Sequence, residues 1–258
     1  MPNFTASSPG MPIWVDVSVE TTEQREALAS FYAALHGWSW DVGSAEMGHY
    51  SIATVRGAPV MGLGQGPGGS GLPVPYFLSE DIEADTKRAI ELGGIVLMGP
   101  MVVPGQGSMT IVEDPTGATH GLWQPAGFPG FGVAYEPGTF GWIDHASPDP
   151  QDAVAYYSSL LNKSVIEPEP GMAILADGEQ WFASLSAAPD AEARGAWMPI
   201  YVVADLVAFR AHAKSLGASV IVEEVPVPGT TLSILEEPVC HVPFTVMQAG
   251  DPSSASEA

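Results

Sequence analysis

The sequence predicts an α+β protein of two tandem domains, each made of two βαβββ modules whose cupped, mixed or antiparallel sheets carry their helices outside. The main observation is a repeat: the segment 12–38 is similar to the segment 141–161, and the first copy has three additional residues before its helix. A second observation is that landmarks recur 124 residues apart, namely Pro75/Pro199, Asp81/Asp205, Gly93/Gly217 and Gln124/Gln248. Repetition at this length indicates two similar domains. The 46% of apolar residues suffice for two buried cores.

The first module is predicted to contain one strand, one helix and three short strands. Polar and apolar residues alternate over Trp14–Val19, which is typical of a strand. Thr21 or Thr22 can cap the helix that follows, and Gly37 ends it. Three short strands come next, at 38–42, 49–55 and 60–63. The glycine-rich segment 64–71 is predicted as a flexible linker, since it lacks the Lys-Ser/Thr ending of a phosphate-binding loop.

The second module follows the same order. A strand at 74–79 leads to a helix that Asp81 can cap and that stops at Gly93-Gly94. Two further strands precede the tight turn Asp114-Pro-Thr-Gly117, and the last strand runs to Gln124. The whole pattern then repeats. The predicted divisions are a flexible N-terminus (1–11), domain 1 (12–125), a Gly- and Pro-rich linker (126–138), domain 2 (139–250) and a disordered tail (251–258).

Charge and composition limit the classes of partner. Eight basic residues against thirty acidic ones give a net charge of −22, so nucleic acid would be repelled. No apolar run reaches the ~20 residues of a membrane span, and no leader segment stands at the N-terminus, so we expect no membrane partner and a cytoplasmic location. The single Cys240 excludes an internal disulfide. Both a monomer and a homodimer fit the sequence.

Three groups of residues carry a family resemblance. They are Trp14-x-Asp16 with Phe31-Tyr32-x-x-Leu35-x-Gly37-Trp38, the helix end Leu92-Gly-Gly94, and Asp114-Pro-x-Gly117 before a last strand. Together with the paired modules, they resemble the vicinal oxygen chelate superfamily, which includes glyoxalase I, extradiol dioxygenases and the fosfomycin- and bleomycin-resistance proteins. The likeness covers 12–125 and 140–249, and it is most similar to a tandem two-domain branch often found in actinobacteria. It implies the fold and a small organic ligand, but it names no substrate.

The resemblance also implies where a divalent metal would bind, because metal-using members place a His or Gln on each module's first strand and a Glu on its last strand. The matching positions here are Trp14, Gly62, Pro75 and Gly121 in domain 1, and Trp142, Ala183 or Ser184, Pro199, and Phe244 or Thr245 in domain 2. None is a His, Gln, Glu or Asp. We therefore expect no metal site and no other cofactor.

Asp16, Asp144 and His145 are the candidate catalytic residues. Asp16 and Asp144 each lie two residues after a tryptophan and share a face of the strand with it. In an apolar cavity, loss of hydration would raise the pKa of such a carboxyl toward the range useful for proton transfer. The alternative is that each Asp accepts hydrogen bonds that stabilise the fold. His145 points to the other face of an ideal strand, where packing under a helix is the alternative role.

An aromatic and methionine-rich wall is the candidate binding surface. Alternation places Trp123 inward, and Phe77 and Tyr201 are expected to flank Pro75 and Pro199 on the same faces. The predicted ligand contacts are Trp14, Phe77, Trp123, Trp142, Tyr201, Phe244, Gln124 and Gln248, with Met61, Met109, Trp181 and Tyr76 as further contributors. Such a lining favours an apolar or aromatic ligand. The alternative is that these residues fill two cores.

Three functions follow from these observations. The first is a metal-independent enzyme that performs a cyclisation, isomerisation or elimination on a bulky natural-product-like molecule held in the cavity, with Asp16 or Asp144 moving a proton. The second is a binding protein that sequesters a toxic compound and so confers resistance. The third is a metal-dependent lyase or dioxygenase whose ligands lie elsewhere in the chain.

Overall fold

The first domain forms one eight-stranded sheet. The computed structural model describes residues 8–190, 192–227 and 229–250, with the backbone alone at Met47 and Glu169. The strands of the first sheet are β1 (Pro12–Val19), β2 (Ser39–Val42), β3 (Ser51–Val55), β4 (Ala58–Gln65), β5 (Ser70–Leu78), β6 (Ile95–Val103), β7 (Gly107–Glu113) and β8 (Thr119–Pro125). Their order across the sheet is β2-β3-β4-β1-β5-β8-β7-β6. The two modules therefore meet at β1 and β5, which pair antiparallel at the centre.

The second domain repeats this arrangement. Its strands are β9 (Phe140–Ser147), β10 (Ser164–Glu169), β11 (Met172–Asp177), β12 (Gln180–Ala187), β13 (Ala196–Val203), β14 (Ser219–Val227), β15 (Thr230–Glu236) and β16 (Pro243–Gln248). Their order is β10-β11-β12-β9-β13-β16-β15-β14, which matches the first sheet strand for strand. Parallel pairs occur at the same places, β1 with β4 and β9 with β12. The predicted α+β fold of two domains, each with two βαβββ modules, is confirmed.

Each α-helix begins at a side-chain cap. In the described residues these helices are α1 (Thr22–His36), α2 (Ile82–Glu91), α3 (Pro150–Leu161) and α4 (Leu206–Ser215), and a short 3₁₀ helix lies at Ala45–Met47. Of the two threonines, Thr21 is the cap of α1, and with Gln24 it forms a reciprocal capping box. The predicted cap Asp81 accepts a hydrogen bond from the Ala84 N–H at the start of α2. Asp149 and Asp205 begin α3 and α4 in the same way.

The helix-bearing faces of the two sheets face each other. The α1 helix contacts α4, and α2 contacts α3, so the helices form the layer between the domains. In this layer the ring of Phe77 on β5 lies 5.5 Å from that of Trp197 on β13. The opposite face of the first sheet, here called the helix-free face, carries Trp14, Asp16 and Tyr76. Since a strand alternates its side chains, one apolar set builds the interdomain core and the other faces away from it.

The glycine-rich segment 64–71 is not a flexible linker, and that prediction is wrong. Strand β4 runs to Gln65 and β5 begins at Ser70, and both pair with β1. A Cβ atom at Gly69 would lie 2.4 Å from the carbonyl carbon of Val19, so glycine is needed there for a close backbone approach. The composition of the segment reflects tight packing of strands and not mobility.

The connection between the domains packs against both of them. Phe131 is buried, and its ring stacks on Phe140 at a centroid distance of 4.8 Å. A Cβ atom at Gly130 would lie 2.1 Å from the carbonyl oxygen of Ile13. Of the predicted flexible N-terminus (1–11) and disordered tail (251–258), residues 1–7 and the whole tail lie outside the described residues. Met11, at the end of the predicted flexible N-terminus, is buried.

Within the described part of the chain, no helix combines the length and the apolar character needed to cross a bilayer.

Candidate functional site

Asp16 lies at the centre of a hydrogen-bonded cluster on the helix-free face of the first sheet. The hydroxyl groups of Tyr76 and Tyr50 donate to its Oδ2 atom at 3.0 and 3.3 Å. The indole N–H of Trp14 in turn donates to the Tyr50 hydroxyl at 2.8 Å. Asp16 and Tyr50 both keep part of their surface exposed. The cluster therefore contains one partly exposed carboxyl group that accepts from two phenols, one of which accepts from an indole.

Two glycines make room for the two tyrosines. A Cβ atom at Gly62, which pairs with Asp16 across β1 and β4, would lie 1.8 Å from the Tyr50 hydroxyl. A Cβ atom at Gly121, which pairs with Tyr76, would lie 2.2 Å from that ring. No side chain larger than hydrogen fits at either position with the tyrosines in place. Each glycine thus creates the slot from which a phenol reaches Asp16.

Burial raises the pKa of Asp16 to about 7, against the opposing effect of the hydrogen bonds from Tyr76 and Tyr50. The pKa values of Tyr50 and Tyr76 are raised well above their usual value, first by burial and then by the nearby Asp16 charge. The tyrosines therefore remain protonated donors at neutral pH. Asp16 populates both its acid and its base form there.

Arg25 holds the segment that carries Tyr50. Its guanidinium Nη1 donates to the carbonyl oxygen of His49 and to the Ser51 hydroxyl, both at 3.3 Å. These two residues flank Tyr50 on either side, and His49 has a positive φ of 57°. The Arg25 side chain is 9% exposed and lies 3.7 Å from Glu26. A buried arginine thus fixes the backbone from which Tyr50 approaches Asp16.

The second sheet carries a simpler version of the cluster. The Trp142 indole donates to Asp144 Oδ1 at 3.0 Å and to the Ser184 hydroxyl at 2.8 Å, and Ser184 also donates to Asp144. Burial raises the pKa of Asp144, against the hydrogen bonds from Ser184 and Trp142. Ser184 pairs with Asp144 across the strands as Gly62 pairs with Asp16. No tyrosine among the described residues donates to Asp144.

His145 lies on the helix-bearing face of the second sheet, opposite the face that carries Asp144, which corrects its prediction as a catalytic partner. It is fully buried between the domains, where Nε2 lies 3.1 Å from Oδ2 of Asp114. Asp114 directly follows β7 in the other domain, so the pair bridges the two domains. Burial by itself raises the pKa of Asp114, but hydrogen bonds and charge from His145 and a hydrogen bond from Thr116 outweigh it and lower this pKa to about 2. Alternation along β9 sends His145 to the interdomain face while Asp144 points away from it.

The predicted ligand contacts divide between the two faces. Trp14, Trp123 and Trp142 lie on the helix-free faces, and the Trp123 indole donates to the carbonyl oxygen of Phe128 at 2.8 Å. Phe128 in turn packs edge-on against Trp14 at 4.9 Å. Contact of these residues with a ligand stays a prediction.

Three predicted ligand contacts point the wrong way: Phe77, Tyr201 and Phe244 are buried in the interdomain core. Pro75 pairs with Val15 and so lies on the helix-bearing face, while Tyr76 pairs with Trp14 and lies on the helix-free face. The prediction slipped by one residue because these central strands are apolar on both faces, so polarity does not reveal their alternation.

The side chains of Gln124 and Gln248 hydrogen-bond to the first turns of helices α2 and α4. The side-chain oxygen of Gln124 accepts from the Ile82 N–H at 3.1 Å, and that of Gln248 accepts from the Leu206 N–H at 3.4 Å. Each amide thus satisfies a free N–H at the start of α2 or α4. Their side-chain oxygens are engaged away from the helix-free faces.

The residues at the expected metal positions do not fit a divalent ion. With the register corrected, these positions hold Trp14, Gly62, Tyr76 and Gly121 in the first sheet and Trp142, Ser184, Ile200 and Thr245 in the second. Each helix-free face offers a single carboxylate nearby, Asp16 or Asp144, whereas metal sites in enzymes commonly use three protein ligands. Across the described residues, no group of three or more His, Cys, Asp or Glu side chains could hold an ion.

Sequence reasoning missed Tyr50, Arg25 and Asp114 as members of these clusters. Tyr50 lies outside any strand, and no local pattern ties it to Asp16, 34 residues earlier in the chain. Asp114 was recognised as a turn residue, and its pairing with His145 depends on how the two domains dock. The signal that could have found Tyr50 is the glycine at position 62, which stands within a strand without a turn to explain it.

Comparison with known proteins identifies relatives along the whole chain. No family model matches the chain. The glyoxylase-like protein CFP32 of Mycobacterium bovis is 30% identical over 250 residues, which cover 92% of this chain and 95% of that protein. The anthracycline biosynthesis protein DnrV of Streptomyces peucetius is 28% identical over 279 residues, with 99% and 100% covered.

Solved structures share the fold at low identity. A Mn(II)-bound glyoxalase from Novosphingobium aromaticivorans superposes with a TM-score of 0.68 at 16% identity, covering 95% of this chain and 84% of that one. A 2,2',3-trihydroxybiphenyl 1,2-dioxygenase from Sphingomonas wittichii superposes with a TM-score of 0.64 at 14% identity, covering 96% and 94%. Both support the architecture of two paired modules in each domain.

Proposed function

The chain belongs to the vicinal oxygen chelate superfamily, and we propose that it is a metal-independent enzyme that moves a proton on a bulky, largely apolar substrate. Asp16 is the group that carries the proton. The similarity to an anthracycline biosynthesis protein supports a natural-product substrate with aromatic rings. The reaction class is isomerisation, cyclisation or elimination.

The Asp16 cluster is the observation that carries this proposal. A general acid or base works best when its pKa lies near the working pH, and burial brings Asp16 to about 7. Both tyrosine hydroxyls bind Oδ2, so Oδ1 is the oxygen available to a ligand. Because Tyr50 and Tyr76 stay protonated, they hold the orientation of the carboxyl and do not compete for the substrate proton.

The chemistry balances without an oxidant. The Asp16 carboxylate takes a proton from a C–H or O–H bond, and the electron pair of that bond stays on the substrate. The protonated carboxyl then returns the proton to another atom in an isomerisation or cyclisation, or to the leaving oxygen in an elimination. Asp16 ends in its starting state.

Domain 1 is the better candidate for this role. Asp144 lacks the two phenol partners. Ser184 and Thr245 stand at the positions of Gly62 and Gly121, so the second sheet lacks the two glycines that make room for tyrosines in the first. The second sheet can therefore supply a matched control, because Asp144 is the same residue in the same strand position without the tyrosine pair.

The test is turnover of anthracycline-type aromatic polyketides in D2O, with products identified by mass. The wild-type protein should convert at least one of them, and a product in which the proton returns to carbon should carry deuterium there to the extent that the Asp16 proton exchanges with D2O before its return. Asp16→Asn should lower the rate by about 10²–10⁴-fold, which is the usual contribution of a general acid or base. Asp144→Asn should keep most of the rate.

Three outcomes would overturn the proposal. Full activity in Asp16→Asn would remove Asp16 from the chemistry. Saturable binding with no turnover in any variant would instead support the second predicted function, sequestration of a toxic compound. A rate that depends on an added divalent ion and disappears with a chelator would support the third.

A further inference from the structure

The helix-free face of the first sheet combines apolar side chains with a single acidic group at its centre. Trp14 and Trp123 lie on either side of Phe128, and Tyr76 lies against Gly121. Next to Trp123, Met109 pairs with it across β7 and β8, and Met101 pairs with Met109 across β6 and β7. Aromatic rings and thioethers are the groups on which a flat ring system packs well.

The methionines on this face are accessible. Met98 and Met101 are 52% and 44% exposed, whereas Trp14 and Trp123 beneath are 4% and 8% exposed. Large apolar side chains in an exposed group usually mark a binding surface. In the second sheet, Val222 and Val225 occupy the positions of Met98 and Met101. Methionines at these two positions are therefore specific to the sheet that carries the Asp16 cluster, while the second sheet has methionines elsewhere, at Met198 opposite Asp144 and at Met247 opposite Leu232.

Positive charge is absent from the centre of this face in the described residues. The Arg25 guanidinium lies behind Tyr50, where it binds the His49 carbonyl oxygen and the Ser51 hydroxyl. Arg194 reaches the end of β7 but forms an ion pair with Glu113. The hydroxyls of Tyr50 and Tyr76 already donate to Asp16. An anionic group of a ligand would find a carboxylate and no free cation there.

We infer that this face binds the substrate as a polycyclic aromatic ring system without anionic groups, and that Asp16 excludes ligands that carry a carboxylate or phosphate. The inference rests on the proposed function, because it names the substrate class of the same site. Two negative charges brought together away from water repel strongly. The net charge of −22 adds to this repulsion at longer range.

Three probes with one ring system test the inference: 9-anthracenemethanol, 9-(aminomethyl)anthracene and 9-anthracenecarboxylate. Their binding is measured by fluorescence titration at pH 8, where Asp16 is mostly ionised. The alcohol and the amine should bind, and the carboxylate should bind at least about tenfold more weakly than the alcohol. Asp16→Asn should bring the alcohol and the carboxylate to within about threefold, while Asp144→Asn should leave the difference intact.

A second pair of variants locates the ring. Met101→Gln should weaken binding of the alcohol by about three- to tenfold, because it places an amide where the ring packs. Val225→Gln makes the corresponding change on the second sheet and should leave the affinity unchanged. Circular dichroism and thermal unfolding of all variants show whether each one is folded.

Several results would overturn the inference. Equal binding of the carboxylate and the alcohol by the wild-type protein would remove the charge exclusion. If the difference in affinity between the alcohol and the carboxylate persists in Asp16→Asn, or is lost in Asp144→Asn, Asp16 is not the residue that excludes the anion. Failure of all three probes to bind would remove the ring-binding surface. None of these depends on turnover, so the substrate class and the proton-transfer role can fail separately.

Discussion

Two glycines determine whether Asp16 has its phenol partners. The slots at Gly62 and Gly121 exist because any Cβ atom there would overlap Tyr50 or Tyr76. Such close approach explains glycine in the middle of a strand, where it otherwise weakens the structure. At the residue scale, the candidate site therefore depends on the absence of a side chain at Gly62 and Gly121 as much as on Asp16 itself.

Gly62→Ala should displace Tyr50 from Asp16. The added methyl group would lie 1.8 Å from the Tyr50 hydroxyl, so the ring must move. We expect a loss of about 1–3 kcal/mol in the free energy of unfolding, as for other overpacked sites. Urea denaturation measures it. Gly64→Ala is the matched control on the same strand, because its Cβ atom would make ordinary contact at 3.6 Å. Equal effects of the two changes would contradict the slot.

Asp16→Asn should alter how stability depends on pH. The pKa of Asp16 rises from 3.8 to about 7 on folding, so the fold favours the neutral acid. The stabilisation is therefore complete below about pH 4 and is lost as the pH rises through 7. Asparagine stays neutral, so the variant should gain roughly 2–4 kcal/mol relative to the wild type between pH 4 and pH 8. Urea denaturation at both pH values measures this gain, and a constant difference would contradict the raised pKa.

At the element scale, the turn between β7 and β8 connects the two domains. Asp114 Oδ1 accepts from the Thr116 N–H at 2.7 Å and the Ala118 N–H at 3.0 Å, which closes the turn. Oδ2 of the same carboxylate binds His145 of the other domain. In the second domain Glu237 closes the equivalent turn by accepting from the N–H groups of Val239 and Cys240. In the first copy the turn carboxylate thus also binds a histidine of the other domain, whereas the second copy contacts the other domain through Cys240, which lies next to Gly71.

Asp114→Ala should destabilise both domains together. The change leaves His145 and two turn N–H groups without their acceptor in a buried environment, and we expect a loss of about 3–5 kcal/mol. Urea unfolding followed by the fluorescence of tryptophans in both domains measures it. Glu113→Gln is the neighbouring control, since its partner Arg194 is 68% exposed and such ion pairs contribute about 0–1 kcal/mol. A loss as small as that of the control would show that the buried pair does not hold the domains together.

At the scale of the whole molecule, the interdomain core contains buried polar side chains that hydrogen-bond to one another. His120 is fully buried, and its Nδ1 atom lies 3.3 Å from the Tyr157 hydroxyl. The Trp197 indole donates to the same hydroxyl at 2.8 Å. Burial is the main effect that lowers the pKa of His120, to about 4. At His120 the two domains therefore meet through neutral side chains at neutral pH, in contrast to the contact made by the ionised Asp114.

His120→Phe should reduce the loss of stability in acid. Because the folded state lowers the pKa of His120 from 6.5 to about 4, its contribution is complete above pH 6.5 and is lost as the pH falls toward 4. Phenylalanine, which the second domain has at the equivalent Phe244, does not titrate. The variant should lose about 2 kcal/mol less than the wild type between pH 7 and pH 4.5. Denaturation at both pH values measures this, and the exposed His241→Gln is the control. Equal losses would contradict the lowered pKa.

The cytoplasmic location and the choice between monomer and homodimer stay predictions, as do the contacts of Trp14, Trp123 and Trp142 with a ligand. Each depends on partners or surroundings outside the fold itself.

The repeat, the caps and the turns were sufficient to predict two domains of paired βαβββ modules, because strand alternation, Asp81 as a cap and the Asp114-Pro turn are local signals. The position of Asp16 and Trp14 on one face also follows from spacing alone. The direction of Phe77, Tyr201 and Phe244 did not follow, because their strands are apolar on both faces. The pairing of Asp16 with Tyr50, and of Asp114 with His145, was decided by tertiary structure, since hydrogen bonds between distant segments depend on how strands align and domains dock.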